Sequence, residues 1–280
     1  MRCMHAALAR VVAEGRAGSR LWLYATYHCN LACAYCLTES HPRIADRREL
    51  KPERLIAHVR EARELGFQSV GITGGEVLML GWFPDALARS AAMLPTLVLT
   101  NGTLFTGPLL DRLAPLADLD VAFQLSLDAA RPSKNDPLRG PGNFAKVVDA
   151  IPRLRERGLR VRMATTVDHE DPEELDRLCE LHRRLGVPDE DHVVRSIVRR
   201  GRAAAEGLGV ELGAHDALPE LTLSTEGAFL HPFAPTVRDG VTDIDLRVAP
   251  QEADLAEALE AFLAAVTALP SGDDVVRNVR

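Results

Sequence analysis

The sequence predicts an α/β protein, a partial (β/α)6 TIM-like barrel with a small C-terminal α+β extension, and three observations carry that expectation. Six apolar, β-branched runs recur along the chain. They are near-continuous rather than alternating, as expected of parallel strands covered on both faces. Amphipathic helical stripes separate most of them, which gives repeated βα units and hence a parallel sheet curled into a full or partial barrel.

A helical segment is expected over 1–19. Its apolar stretch is broken by Arg10 and shows no cleavage-site pattern, so it does not read as a signal peptide. The strands are expected at 20–27, 69–74, 96–101, 120–128, 160–168 and 192–198. Between them, Leu55, Val59, Ala62 and Leu65 share one helical face, and Phe144, Val147, Val148, Ile151 and Leu154 share another. Leu175, Leu178, His182 and Leu185 make a third stripe. Gly66, Gly158 and Gly186 follow these helices where a C′ glycine belongs, and Pro152 should kink the second. On the third stripe Cys179 reads as a buried core thiol and His182 as a packed, hydrogen-bonded side chain. After Val198 a Gly/Ala-rich stretch reads as a boundary. Two strand-like pieces follow, "LTLST" and "DIDLRVA", then an amphipathic helix with Leu255, Leu259, Phe262, Leu263 and Val266 on one side. The barrel core is accordingly placed at 20–203 and the extension at 204–280.

With 280 residues, 46% of them hydrophobic, the chain can bury a sizeable core. A net charge of −7 argues against a general nucleic-acid surface. No apolar run approaches the length needed to span a bilayer. Five cysteines are too few, and the wrong parity, for a disulfide framework, so a reducing, cytoplasmic setting is expected.

Three of those cysteines fall within eight residues, "CNLACAYC" (29–36), directly after the first expected strand. In such barrels chemistry collects at the C-terminal ends of the strands. The spacing is C-x3-C-x2-C with no fourth cysteine nearby. A structural zinc site wants four ligands, which His28 or His41 could complete. A redox pair of Cys33 and Cys36 would leave Cys29 unexplained. A 4Fe–4S cluster held by three thiolates leaves one iron open, and an open metal position is a catalytic feature.

The cysteine motif, with an aromatic residue before its last cysteine, resembles the signature of the radical S-adenosylmethionine (SAM) enzymes. "TGGE" (73–76), "TNG" (100–102), "LSLD" (125–128) and "TTVD" (165–168) resemble the family's strand-end motifs in order. Arg139 and "RRGRA" (199–203) fall where the subgroup with a C-terminal SPASM or twitch extension has similar residues. The resemblance implies that Cys29, Cys33 and Cys36 ligate one 4Fe–4S cluster and that SAM chelates its fourth iron. It further implies SAM contacts from Tyr35 at the adenine, Gly74 and Gly75 where backbone approaches the methionyl part, and Glu76 at the amino group. Asn101, Ser126, Asp128, Arg139 and Val167 complete that set, with Asp128 equally able to cap the next segment. The implied activity is reductive cleavage of SAM to a 5′-deoxyadenosyl radical, which takes hydrogen from a peptide or small-metabolite substrate. The implied electron donor is of the flavodoxin or ferredoxin type, with no nucleic acid or membrane as partner.

Two departures from the family stand out. Val77 replaces the proline that often follows "GGE", and the extension lacks every auxiliary-cluster cysteine, so one cluster only is expected. An additional N-terminal peptide-binding domain is not expected either. A different class of reading, a non-catalytic iron–sulfur or metal sensor on the same scaffold, would keep the cysteines but has no need of the strand-end motifs. Arg195, Arg199, Arg200 and Arg202 form a basic run after the last strand, either solvated or suited to an anionic substrate at the barrel mouth.

Overall fold

The structure, a computed structural model, describes residues 5–169 and 171–270. Residues 1–4, with Cys3, lie outside the described residues. Helix α1 (Ala6–Ala13) precedes β1 (Arg20–Thr26), which leads through the cysteine loop to α2 (Pro52–Leu65). Four more units follow: β2 (Ser69–Gly74) with α3 (Phe83–Ala91), β3 (Thr96–Thr100) with α4 (Gly107–Leu113), β4 (Val121–Ser126) with α5 (Pro132–Arg139) and α6 (Asn143–Glu156), and β5 (Arg160–Val167) with α7 (Pro172–Arg184). The sixth is β6 (His192–Ser196) with the short α8 (Arg202–Ala205). The C-terminal part adds β7 (Thr222–Ser224), β8 (Gly227–Phe229), β9 (Val237–Arg238), β10 (Val241–Thr242), β11 (Arg247–Ala249) and α9 (Leu255–Ala268).

Strands β1 to β6 pair in sequence order, all parallel, so the six predicted βα units form one side-by-side array. The helices end where expected: Gly66, Gly158 and Gly186 all take positive φ. Helix α6 runs unbroken from Asn143 to Glu156 through Pro152. The extension differs from a separate layer. β7 joins the free edge of β1 in parallel, and β8 and β11 continue the same sheet antiparallel. One core runs through both parts, since Leu8, Leu21, Leu55, Leu255, Leu259 and Phe262 belong to a single buried cluster.

Strand alternation explains why the runs are nearly continuous. Leu21 and Leu23 of β1, Val70 and Ile72 of β2, and Phe123 and Leu125 of β4 enter the core beneath the helices. The alternate residues Trp22, Leu97 and Ala122 meet inside the barrel. Trp22 lies opposite Gly71, where an added Cβ would fall 2.3 Å from the indole, so the absent side chain makes the slot for the ring. Above that layer the interior is open, and the cavity of the next section begins there.

The third stripe holds two surprises. Cys179 is half-buried rather than in the core, with its Sγ 3.6 Å from His192 Nδ1, because α7 turns it toward the β6 edge. His182 is packed as expected, edge-on to His192 at 4.4 Å, but neither of its ring nitrogens has a hydrogen-bond partner among the described residues.

Burial and the neighbouring His192 pull the His182 pKa down to about 3, and burial takes His58 and His231 to about 4. In the unfolded chain each takes a proton near pH 6.5. Between pH 6.5 and 4 the unfolded state therefore binds more protons, and stability present above pH 6.5 is lost as the pH falls, by up to about 1.4 kcal/mol per pH unit per histidine. Urea midpoints should be level above pH 7 and decline steadily below 6.5, with a shallower slope in His182→Leu. A midpoint that does not move between pH 7 and 5 contradicts this.

Candidate active site

The end of β1 and the end of β2 are drawn together by backbone hydrogen bonds. Gly75 N–H donates to Thr26 O at 2.6 Å, and Glu76 N–H donates to His28 O at 2.8 Å. A Cβ on Gly74 would sit 2.2 Å from Thr26 O, and one on Gly75 would sit 2.2 Å from His28 O. Real side chains cannot approach backbone so closely, so the paired glycines are needed to seat the base of the cysteine loop against β2. Both also line the cavity.

The loop itself is held from three sides. Ala34 N–H donates to Leu138 O at 2.8 Å, at the end of α5, and Val237 N–H to Leu37 O at 2.9 Å, from β9. Arg202 is the third holder. Its backbone N–H donates to Cys36 O at 2.9 Å, and its guanidinium donates to Cys33 O and, at 3.1 Å, to Ser40 O. Gly201 leaves no room for a side chain, since a Cβ there would meet Leu37 O at 2.3 Å. The basic run thus disperses: Arg195 faces the cavity, Arg199 donates to Gly209 O, Arg200 pairs with Asp243 and Asp245, and Arg202 clamps the loop. Sequence position alone grouped four arginines whose tasks differ.

So held, Cys29, Cys33 and Cys36 all line one cavity of about 210 Å³ at the C-terminal ends of the strands. Their sulfurs make only long contacts of 3.4–3.7 Å: Cys29 with Leu31 N–H and Asn101 Nδ2, Cys33 with Arg139 O, and Cys36 with Thr38 Oγ1. Burial, helped by the Glu76 carboxylate, pushes the Cys29 thiol up to about 12, and burial raises Cys33 as well, so a metal must displace their protons. Among the described residues no three His, Cys, Asp or Glu side chains gather tightly enough to hold a single metal ion. His28 contacts Pro42 O and His41 accepts from Arg43 N–H, and neither lines the cavity. Three soft thiol donors lining one cavity are the donor chemistry that an iron–sulfur cluster takes.

Of the remaining residues expected to touch SAM, Tyr35, Gly74, Gly75, Asn101, Ser126 and Arg139 line the cavity, whereas Glu76, Asp128 and Val167 do not. Glu76 is fully buried behind the wall, where its carboxylate accepts from Leu78 N–H at 3.1 Å, Thr100 Oγ1 at 2.8 Å and Asn101 N–H at 2.7 Å. It ties β2 to β3 and positions Asn101. Asp128 neither caps a helix nor faces the cavity. It accepts from Thr166 N–H at 2.9 Å, from Arg139 at 3.2 Å and from the Tyr35 hydroxyl. Tyr35 in turn accepts from Arg139. Burial raises the Tyr35 phenol pKa well above its usual value, so this hydroxyl stays protonated. Val167 is displaced by strand alternation: its neighbour Thr166 takes the cavity-facing place.

Arg139 keeps capacity for one more acceptor. Its Nε is buried without a hydrogen-bond partner among the described residues, although the side chain is 7% exposed and paired with Asp128. Arg139 lines the cavity with the three cysteines, and a guanidinium there fits a carboxylate-bearing cofactor. The sequence reading did not assign Tyr24, Thr73, Gln124, Thr166 or Phe233 to the site, all of which line the cavity; Arg195, placed at the barrel mouth in one of the two readings of the basic run, lines it too. Gln124 and Thr73 were findable, since each lies on the same strand face as a neighbour already singled out or packed inward. Phe233 comes from the loop after β8 and depends on long-range pairing.

Replacing Glu76 tests its positioning role. Glu76→Ala leaves three buried donors without an acceptor, which should cost about 3 kcal/mol in urea unfolding, while Glu76→Gln keeps one oxygen and should cost less than half of that. Because Glu76 sets Asn101, Glu76→Ala should also weaken SAM binding at equal cluster loading, while Glu76→Gln should keep most of it; a Gln variant of near-parent stability that loses SAM affinity as fully as Ala would mean the carboxylate charge itself faces the cofactor.

Comparison with known proteins places these observations. Residues 23–182 match the radical SAM superfamily. The chain is 32% identical over 163 residues to the mycofactocin maturase MftC of Mycolicibacterium smegmatis, covering 58% of this chain and 41% of that protein. It is 31% identical over 147 residues to a probable GTP 3',8-cyclase of Archaeoglobus fulgidus, covering 52% and 47%. The chain thus spans less than half the length of these relatives. Among solved structures it resembles Streptococcus suis SuiB bound to precursor peptide SuiA, with a TM-score of 0.56 at 18% identity over 69% of this chain and 43% of that one. The superfamily match begins inside β1, ends inside α7 and takes in more than half of the sequence. On that extent the chain belongs to the radical SAM superfamily of enzymes, whose cofactors are a 4Fe–4S cluster and S-adenosylmethionine.

Proposed function

We propose that this protein cleaves SAM reductively and modifies a peptide at the mouth of the cavity. The observation that carries the reading is the convergence of Cys29, Cys33 and Cys36 with Gly74, Gly75, Asn101, Ser126 and Arg139 on one cavity. When bound, the cluster and SAM supply one-electron chemistry that ends in removal of a hydrogen atom from the substrate. The chain's own part is to hold and to exclude. Cys29, Cys33 and Cys36 would hold the cluster, Arg139 would offer its guanidinium to the SAM carboxylate, and Asn101 is set by Glu76 and Asn30. Trp22 forms the floor, and Pro232 and Phe233 form part of the wall, which keeps water from a reactive centre. The Tyr24 hydroxyl fastens that wall to β1 by donating to Pro232 O at 2.5 Å.

The likeness to SuiB, solved with a precursor peptide, supports a peptide substrate; the likeness to a GTP 3',8-cyclase supports a small molecule as the second reading. A flavodoxin- or ferredoxin-type protein would supply the electron. The test is anaerobic reconstitution followed by SAM and dithionite. 5′-Deoxyadenosine should form with the parent protein and not with Cys36→Ala. A fully loaded cluster that yields none under several reductants would instead mark a sensor.

A further inference from the structure

One cationic side chain on the cavity wall has no carboxylate partner among the described residues. Two formally charged side chains line the cavity, Arg139 and Arg195, and no aspartate or glutamate does. Arg139 is neutralised from behind by Asp128 at 3.2 Å. Arg195 has no ion pair among the described residues; its one hydrogen bond there runs from Nε to Thr166 Oγ1 at 3.4 Å. It sits on β6, one residue before the strand ends at Ser196, and Ser196, Ile197 and Val198 continue the cavity wall beside it. Tyr35, Asp128 and Tyr24 are the groups near enough to act on its charge favourably, and Arg139 opposes it. The two tyrosines stay neutral there, because burial raises both phenols, and Asp128 is committed to Arg139, Tyr35 and Thr166.

Arg195 is half-buried, so its guanidinium keeps donors free toward the cavity, where an anion can pair with them. Its planar fork suits a carboxylate bound through two parallel hydrogen bonds, and the Thr166 hydroxyl stands next to it on the paired strand. We propose that Arg195 recognises a carboxylate of the substrate, so that the molecule taken is an acidic one: a peptide with a glutamate or aspartate at the reacting segment. The proposal rests on the reading that this cavity admits a substrate. A small dicarboxylic acid would offer the same chemistry.

The test uses cluster-loaded, SAM-bound protein and ligand-observed NMR, which reads weak binding. The probes are the capped tripeptides Ac-Gly-Glu-Gly-NH2 and Ac-Gly-Gln-Gly-NH2, with glutarate and glutaramide as the small-molecule pair. The acid should bind about tenfold or more tightly than its amide, the range expected for a charge-assisted pair. In Arg195→Gln that preference should fall below about twofold on the same scale, and Arg195→Lys should restore part of it. SAM affinity and cluster absorption, followed in parallel, should match the parent in both. If glutarate is preferred over glutaramide through Arg195 but neither tripeptide binds, the peptide reading fails and the role of Arg195 stands. The proposal is overturned if the parent does not distinguish acid from amide, or if Arg195→Gln keeps the preference. Loss of SAM affinity in Arg195→Gln, with acid preference intact, likewise overturns it and assigns the guanidinium to SAM's own carboxylate.

Discussion

Replacing Cys29, Cys33 or Cys36 with alanine should abolish the iron–sulfur absorption near about 400 nm, each as completely as the others. The three thiols line the same cavity, and among the described residues no fourth cysteine or histidine lines it to substitute. A site with one open iron has no spare protein ligand. Formation of 5′-deoxyadenosine should vanish with the absorption. Cys179→Ala is the control, since its sulfur lies beside His192, away from the cavity. It should load the cluster like the parent and lose only about 1 kcal/mol of stability. Retention of a full 4Fe–4S signal by any one of the three single variants would falsify the ligand assignment.

Gly75→Val should lower both folding stability and cluster loading. The new Cβ would fall 2.2 Å from the His28 carbonyl, and backbone, unlike a flexible side chain, cannot step aside. The hydrogen bond from Gly75 N–H to Thr26 O would be strained at the same time. Forced overpacking of this kind costs about 3 kcal/mol, and here the displaced segment is the one that carries Cys29. Urea unfolding and iron content of the reconstituted variant measure the two effects. The sequence reading assigned this glycine to the approach of SAM alone. A variant that folds and loads iron like the parent but fails to bind SAM would support that narrower role.

The barrel was legible because its cause is local. Strands buried on both faces read as unbroken β-branched runs, and each helix between them advertises its inner stripe, so β1 to β6 fall within a few residues of expectation. The cysteine loop was legible for a similar reason, as its three thiols lie within eight residues of chain. What escaped depends on chain segments meeting from afar. That β7 would extend the barrel sheet at β1, bringing Pro232 and Phe233 to the cavity, is set by pairing across some two hundred residues. Asp128, Tyr35 and Arg139 were each expected at SAM, but their mutual hydrogen bonding is a matter of geometry. Once Asp128 has accepted from Tyr35, Arg139 and Thr166 it has little left to offer a ribose. Arg202 shows the limit most clearly: in sequence it is one of four neighbouring arginines, and in the fold it is the residue that grips the carbonyls of Cys33 and Ser40.

The most direct measurement is electron paramagnetic resonance of the reduced, reconstituted protein before and after SAM is added, with iron and sulfide determined on the same sample. About four iron and four sulfide per chain are expected, with a signal that shifts when SAM occupies the open iron and that is absent from the Cys36→Ala protein. A full cluster whose spectrum is indifferent to SAM, or about eight iron with four surviving removal of all three cysteines, would contradict a single SAM-binding cluster held by Cys29, Cys33 and Cys36.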